Sequence, residues 1–157
     1  MIDRKKIEQL IDENLAEKAL FLVELNMNEA NHIEVFLDSD EGEVAIGDCV
    51  SLSRHIESNL DRDEEDFDLN VSSAGLDLPL RIRRQYPKHK GELLKLRLEG
   101  SKEMLFRLKD VNEVGIIGTP LKKNTKAKKG TQKQYIEQEE MQMPFESIIE
   151  AKIEVVF

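Results

Sequence analysis

The chain has no tryptophan, two tyrosines and six phenylalanines among 157 residues, few rings from which to build the aromatic-lined groove that reads proline-rich peptides. A single cysteine, Cys49, excludes an internal disulfide, so the fold must be held by burial, as is usual in a reducing compartment. Cys49 has no companion cysteine, and His32, His55 and His89 fall on separate segments without metal-ligand spacing. Neither a metal nor any other cofactor is expected. Ser72 and Ser73 lack the flanking glycines of a nucleophile elbow, and no base is placed to activate them, so the sequence offers no catalytic cluster and no small-molecule substrate. No run approaches the roughly 20 apolar residues of a membrane helix. Residues 3–6 are all charged, with no apolar stretch behind them, and the expectation is a cytoplasmic protein with no membrane partner.

Cations are scarce in one half only. Residues 1–80 carry 6 Lys plus Arg against 21 Asp plus Glu, a net −15, whereas residues 81–157 carry 17 against 11, a net +6. A reversal this abrupt suggests two surfaces with different partners, a basic one suited to phosphate and an acidic one suited to a basic protein. The plainer reading is that the acidic residues keep the first half soluble.

Periodicity divides the chain at the same place. Asp3 is placed to cap a helix whose apolar positions Ile7, Leu10, Ile11 and Leu15 share one face, ending near Lys18. Residues 19–25 form an apolar run of strand length, and Ile33, Val35 and Leu37 alternate with polar neighbours as a second strand. A short strand is expected at residues 43–46, then a helix starting at Gly47 and Asp48 with Cys49, Leu52, Ile56 and Leu60 on one face. Charged residues 61–66 should form a solvated loop before a strand marked by Phe67, Leu69 and Val71. This is an α+β sandwich. Beyond it helical periodicity disappears. Leu94, Leu96 and Leu98 alternate, then Met104, Phe106 and Leu108, with a hairpin turn at residues 99–101 and further strands at residues 115–119, 133–142 and 151–157. Five short strands are expected to close into a small barrel, since closure removes exposed edges. The reading is therefore an N-terminal α/β domain, residues 1–80, followed by an interdomain segment and a β-barrel domain, residues 81–157.

Between these parts, Val71, Ser72, Ser73, Ala74, Gly75, Leu76, Asp77, Leu78, Pro79 and Leu80 run from a strand into a turn of small residues and then a proline. The segment resembles the signature of the ribosome maturation factor RimP family, departing from it at Ala74 and Leu78, where the family pattern has Pro and Arg. Gly47, Asp48 and Cys49 with Ser53, Arg54, Leu60 and Asp61 are similar to the family's second helix, and residues 148–156 to its closing strand. The resemblance implies an SH3-like, or Sm-like, barrel as the second domain. It also implies a non-enzymatic role in maturing the small ribosomal subunit, through ribosomal RNA and a basic small-subunit protein, the twelfth in that series. Ser72, Ser73, Gly75, Leu76, Asp77 and Pro79 form the signature turn, in which Gly75 is expected at positive φ or at a close backbone approach.

Two basic segments are candidates for RNA or subunit contact. Lys122, Lys123, Lys126, Lys128, Lys129 and Lys133 lie in residues 121–133 without an acidic residue, and read as a loop whose lysines follow a phosphate backbone and release its counterions, or as a merely solvated loop. Arg81, Arg83, Arg84, Lys88, His89 and Lys90 follow the signature turn; they can fork onto phosphate or pair with the acidic first domain. For the protein partner the candidates are Asp63, Glu64, Glu65 and Asp66. Asp38, Asp40 and Gly42 resemble the start of a calcium loop, but the sixth and twelfth positions are wrong and a turn is the reading. Cys49 reads as a small buried hydrophobe. The rival functional class is an SH3-like protein-interaction adaptor, which the shortage of aromatics opposes.

Overall fold

A computed structural model describes residues 1–75, 78–100, 102–123 and 135–154. It is a mixed α+β structure that divides into two compact units, Met1–Gly75 and Leu76–Phe157. Among the described residues no helix is long and apolar enough to cross a membrane.

The first unit runs α1 (Arg4–Leu15), β1 (Leu20–Met27), β2 (His32–Ser39), α2 (Ile46–Ser58) and β3 (Asp68–Ser73). Asp3 accepts a hydrogen bond from the Lys5 backbone N–H at 3.0 Å and starts α1. The helix stops at Leu15, short of the expected Lys18, and Glu17 takes a left-handed φ of 64° that turns the chain toward β1. No strand forms at residues 43–46. The Asp48 carboxylate instead accepts from the Ala45 N–H at 3.1 Å, which caps α2 from inside its first turn and draws the helix start forward to Ile46. β2 lies between an antiparallel β1 and a parallel β3, with α2 as the crossover between the two parallel strands. Ile7, Leu10, Ile11 and Leu15 of α1 and Leu52 and Ile56 of α2 enclose Ile33, Val35 and Leu37 of β2. Both helices therefore cover one face of the sheet. Burial of each such side chain contributes roughly 1.5–3 kcal/mol.

The second unit holds β4 (Leu93–Leu98), β5 (Lys102–Val111), β6 (Gly115–Lys123), β7 (Tyr135–Glu137), β8 (Met141–Pro144) and β9 (Ile148–Glu154). All pairings are antiparallel, in the order β7-β6-β5-β4-β9, with β8 also on β6. Among the described residues this path is open, with no pairing that closes β9 onto the far edge. The single strand expected over residues 133–142 is instead the pair β7 and β8, which share β6 end to end: β8 takes Gly115–Gly118 and β7 takes Leu121–Lys123. Phe106, Leu94, Leu96, Leu108, Ile116, Met143 and Ala151 form one core from most of the strands. Two close approaches depend on glycine. A Cβ on Gly118 would overlap the Arg107 carbonyl oxygen and the Phe106 ring, and one on Gly115 would overlap the Met143 carbonyl.

Candidate functional site

The signature segment starts on β3, where Ser72 pairs with Phe36 and Ser73 with Leu37. The Ala74 N–H donates to the Leu37 carbonyl at 2.8 Å and extends the ladder by one bond. Ala74 is buried, and Gly75 then takes φ +66°, with open space where a Cβ would stand. A side chain there meets no neighbour, so any cost of replacing Gly75 comes from the backbone. Leu76 and Asp77 lie outside the described residues. Leu78 is exposed, Pro79 is half-buried, and the Leu80 N–H donates to the Ala151 carbonyl of β9 at 2.7 Å.

The cationic segment after it is held by its neutral members. Two 3-10 turns, Arg83–Gln85 and Pro87–His89, carry the charges. The fully buried Gln85 side chain accepts from the Arg81 and Ile82 N–H groups at 2.6 and 3.0 Å. Tyr86 is buried against Phe145, with ring centroids 5.4 Å apart, and burial pushes its hydroxyl pKa up to about 12. His89 is also buried, its Nδ1 lying 2.5 Å from Glu92 Oε2. Arg81, Arg83, Arg84 and Lys90 are exposed on these anchors, and Lys88 is half-buried. Arg83 donates to the Glu113 carbonyl at 3.1 Å, and Lys90 pairs with Asp110 at 3.2 Å. These partners come from the second unit itself. The Asp110 carboxyl sits below its ordinary pKa because the Val111 backbone N–H donates to it and Lys90 lies beside it. Sequence reasoning missed Gln85 and Tyr86; the signal was their neutrality within a run of cations.

The lysine run begins on a strand. Lys122 and Lys123 close β6, opposite Ile136 and Tyr135, and Lys122 is exposed. The expectation that both belong to a loop is thus corrected: a strand edge tolerates lysine on its solvent side as readily as a loop does. Lys126, Lys128, Lys129 and Lys133 lie outside the described residues. Near this end of the sheet Arg107 of β5 binds Glu137 of β7 and donates to the Gly91 carbonyl at 2.9 Å. That guanidinium holds the Glu137 carboxyl below its usual range.

In the acidic loop the four candidates are not equivalent. Asp61 organises the turn, accepting from the Asp63 N–H through its side chain at 2.9 Å and from the Glu64 and Glu65 N–H groups through its carbonyl. Glu65 receives the Asn31 amide at 3.3 Å and lies 2.8 Å from the Met1 amino group, which, with Asn31, pulls its pKa down. Asp66 accepts from the Phe67 N–H and from Arg62, whose guanidinium lies 4.1 Å above the Phe67 ring. Asp63 and Glu64 are exposed on this framework.

The remaining polar residues are structural in their contacts. Asp38 accepts from the Ser39 N–H at 2.7 Å, and Ser39 Oγ donates to the Glu41 carbonyl, which fixes the turn. His32, His55 and His89 each meet a different carboxylate, Asp68, Glu13 and Glu92. Among the described residues no group of three His, Cys, Asp or Glu could hold a metal ion. Cys49 is partly buried, which pushes its thiol pKa up, with Asp48 adding to the effect.

Comparison with known proteins gives consistent matches. Residues 10–77 match the family model described as the RimP N-terminal domain. The chain is 40% identical over 156 residues to the ribosome maturation factor RimP of Christiangramia forsetii, covering 98% of this chain and 99% of that one. The protein of the same name from Flavobacterium psychrophilum is 47% identical over 98 residues, 62% of this chain and 63% of its own length. That from Porphyromonas gingivalis is 49% identical over 86 residues, 55% of this chain and 56% of its own.

Proposed function

The chain belongs to the ribosome maturation factor RimP family, and on that footing we propose that it acts on the small ribosomal subunit by binding and release, with no chemistry of its own. The observation that carries this reading is the separation of charge between the halves, 6 cations against 21 carboxylates in residues 1–80 and 17 against 11 in residues 81–157. The basic half meets ribosomal RNA through the lysine run from Lys122 onward and the exposed arginines of residues 81–90. Lysines there neutralise phosphate without reading bases. The acidic half receives a basic small-subunit protein, the twelfth in its series, and screens that protein's charge until RNA replaces it.

The same reading takes the first unit as a two-layer α/β sandwich and the second as an SH3-like barrel. Support for the barrel is the antiparallel strand path that shares one core, with the long β6 paired to two short strands. The cytoplasm is where such partners meet.

Co-sedimentation with isolated small subunits, large subunits and complete ribosomes over a salt series tests the proposal. Selective association with the small subunit, weakening as salt rises, is the expected result. Equal association with both subunits, or none, would refute it.

A further inference from the structure

The register of the first sheet defines a face opposite the one that α1 and α2 cover. Ile33, Val35 and Leu37 of β2 are sunk in the helix-covered core, so the residues alternating with them, His32, Glu34 and Phe36, point to the opposite side. Cross-strand partners share a side, which adds Glu24 of β1 beside Phe36 and Asp68 of β3 beside His32. Glu34, His32 and Asp68 are exposed and Phe36 and Glu24 are half-buried, whereas at the far end of the same side Phe21 and its partner Asp38 are buried, so the accessible part is the end from Phe36 to His32. The face thus presents an aromatic ring with a carboxylate across the strand, Glu24, and another two residues along it, Glu34. Its one imidazole, His32, is already 2.7 Å from Asp68.

We propose that the Phe36–His32 end of this sheet face docks an arginine-rich, extended segment of a basic protein, with a guanidinium stacked on Phe36 and its N–H groups donated to Glu24 and Glu34. The charge complementarity selects the occupant: three carboxylates repel phosphate, so a nucleic acid is disfavoured, and a planar cation satisfies both the ring and its acidic flanks. The same unit already contains this arrangement in miniature. Arg62 lies 4.1 Å over the Phe67 ring while pairing with Glu57 at 3.6 Å and Asp66 at 3.3 Å. The proposal rests on the reading that the acidic half receives a basic protein, and moves the contact from the loop at Asp63 and Glu64 to the sheet.

The test measures binding of the full chain, at low and moderate salt, to a short arginine-rich peptide and to a lysine peptide of equal length and charge. The arginine peptide should bind more tightly. Glu24→Gln with Glu34→Gln, which preserves side-chain shape, should weaken it about 10-fold at low salt. Phe36→Leu should weaken it about 3-fold and abolish the preference for arginine over lysine; the glutamine pair keeps the test decisive if the leucine variant does not fold. Binding that survives both changes but falls with Asp63→Asn and Glu64→Gln overturns the sheet face and leaves the basic-partner reading intact. Absence of any binding to the unaltered chain overturns both. A face that takes up an RNA oligonucleotide in place of the peptide overturns the proposal as well.

Discussion

Raising the pH through the tyrosine range tests how the cationic segment is fastened to its sheet. Tyr86 sits between the two 3-10 turns that carry Arg83, Arg84, Lys88 and His89, and it is 5% exposed, tilted at 58° against Phe145. Burial raises its pKa from 10.0 to about 12, because the tyrosinate would lose its hydration there. The unfolded chain then gives up this proton at lower pH than the folded chain does. Stability from Tyr86 is fully present below the unfolded value and is lost as pH rises toward the folded one. Two units correspond to about 3 kcal/mol, a large fraction of the stability of a small domain. Urea unfolding between pH ~8 and ~12 should show this loss beginning above ~10. Tyr86→Phe keeps the ring and removes the proton, so most of the alkaline loss should vanish in that variant. In a Tyr135→Phe background Tyr86 is the one remaining tyrosine, and its ultraviolet ionisation should coincide with unfolding. Ionisation near the free value without loss of structure would refute the enclosure of this side chain and with it the anchoring of the segment.

Gly118→Ala should cost about 3 kcal/mol or more, read as a fall in the denaturation midpoint, because backbone and a core ring occupy the space a Cβ needs; an unchanged midpoint would show that β5 and β6 separate freely there. Gly75→Val should cost roughly 1–3 kcal/mol from its left-handed φ alone, and Gly75→Asn less, so equal costs would reject backbone strain as the cause. Replacing Lys122, Lys123, Lys128 and Lys129 with Gln should flatten the salt dependence of subunit binding by up to about 3 in log-log slope while moving stability by no more than about 0.5 kcal/mol; an unaltered slope in co-sedimentation would reject the run as a phosphate site. Charge reversal at Asp63 and Glu64 should slow association with a basic protein partner more than it speeds dissociation, and stopped-flow rates showing mainly faster dissociation would mean a buried contact instead.

Much of the framework was legible where one physical signal dominated. The three-and-four spacing of Ile7, Leu10, Ile11 and Leu15, and the alternation of Ile33, Val35 and Leu37, each report a single buried face, and those residues are buried. What escaped depended on signals the local pattern does not hold. α1 ends where Ala16 leaves helical geometry at ψ 136° and Glu17 follows with a left-handed φ, a turn that no glycine announced. Asp48 looked like a helix start and acts as one, but from the third position, reaching back to Ala45. The split of residues 133–142 into β7 and β8 follows from both sharing β6, which is a tertiary fact. The same holds for the second face of the first sheet: alternation along β2 turns His32, Glu34 and Phe36 to one side, yet only the register brings Asp68 beside His32 and Glu24 beside Phe36. Of the signature residues, Gly75 could be read from its residue type, whereas the Ala74 N–H bond to Leu37 required the strand pairing.

Charge bookkeeping narrows which basic segment matters most. The +6 of residues 81–157 equals the six lysines of residues 121–133, where no acidic residue falls, so the rest of that half holds 11 cations against 11 carboxylates and is neutral. Among the described residues part of that neutrality is realised in local ion pairs. Lys95 meets Glu103, Arg97 and Lys152 meet Glu150, Arg107 meets Glu137 and Lys90 meets Asp110. Exposed pairs of this kind add little to folding, but each removes a cation from the long-range field that draws phosphate. On the function proposed above, Arg81, whose backbone N–H is held by Gln85, acts as a short-range donor, while the lysine run supplies the excess charge that steers. Steering and fixing are separable because they decay differently with salt: the first is screened within about 8 Å at physiological ionic strength, the second acts at hydrogen-bond distance. On that proposal, rising salt slows arrival at the subunit before it loosens the short-range arginine contacts, so association rates should fall at salt concentrations that leave dissociation rates nearly unchanged.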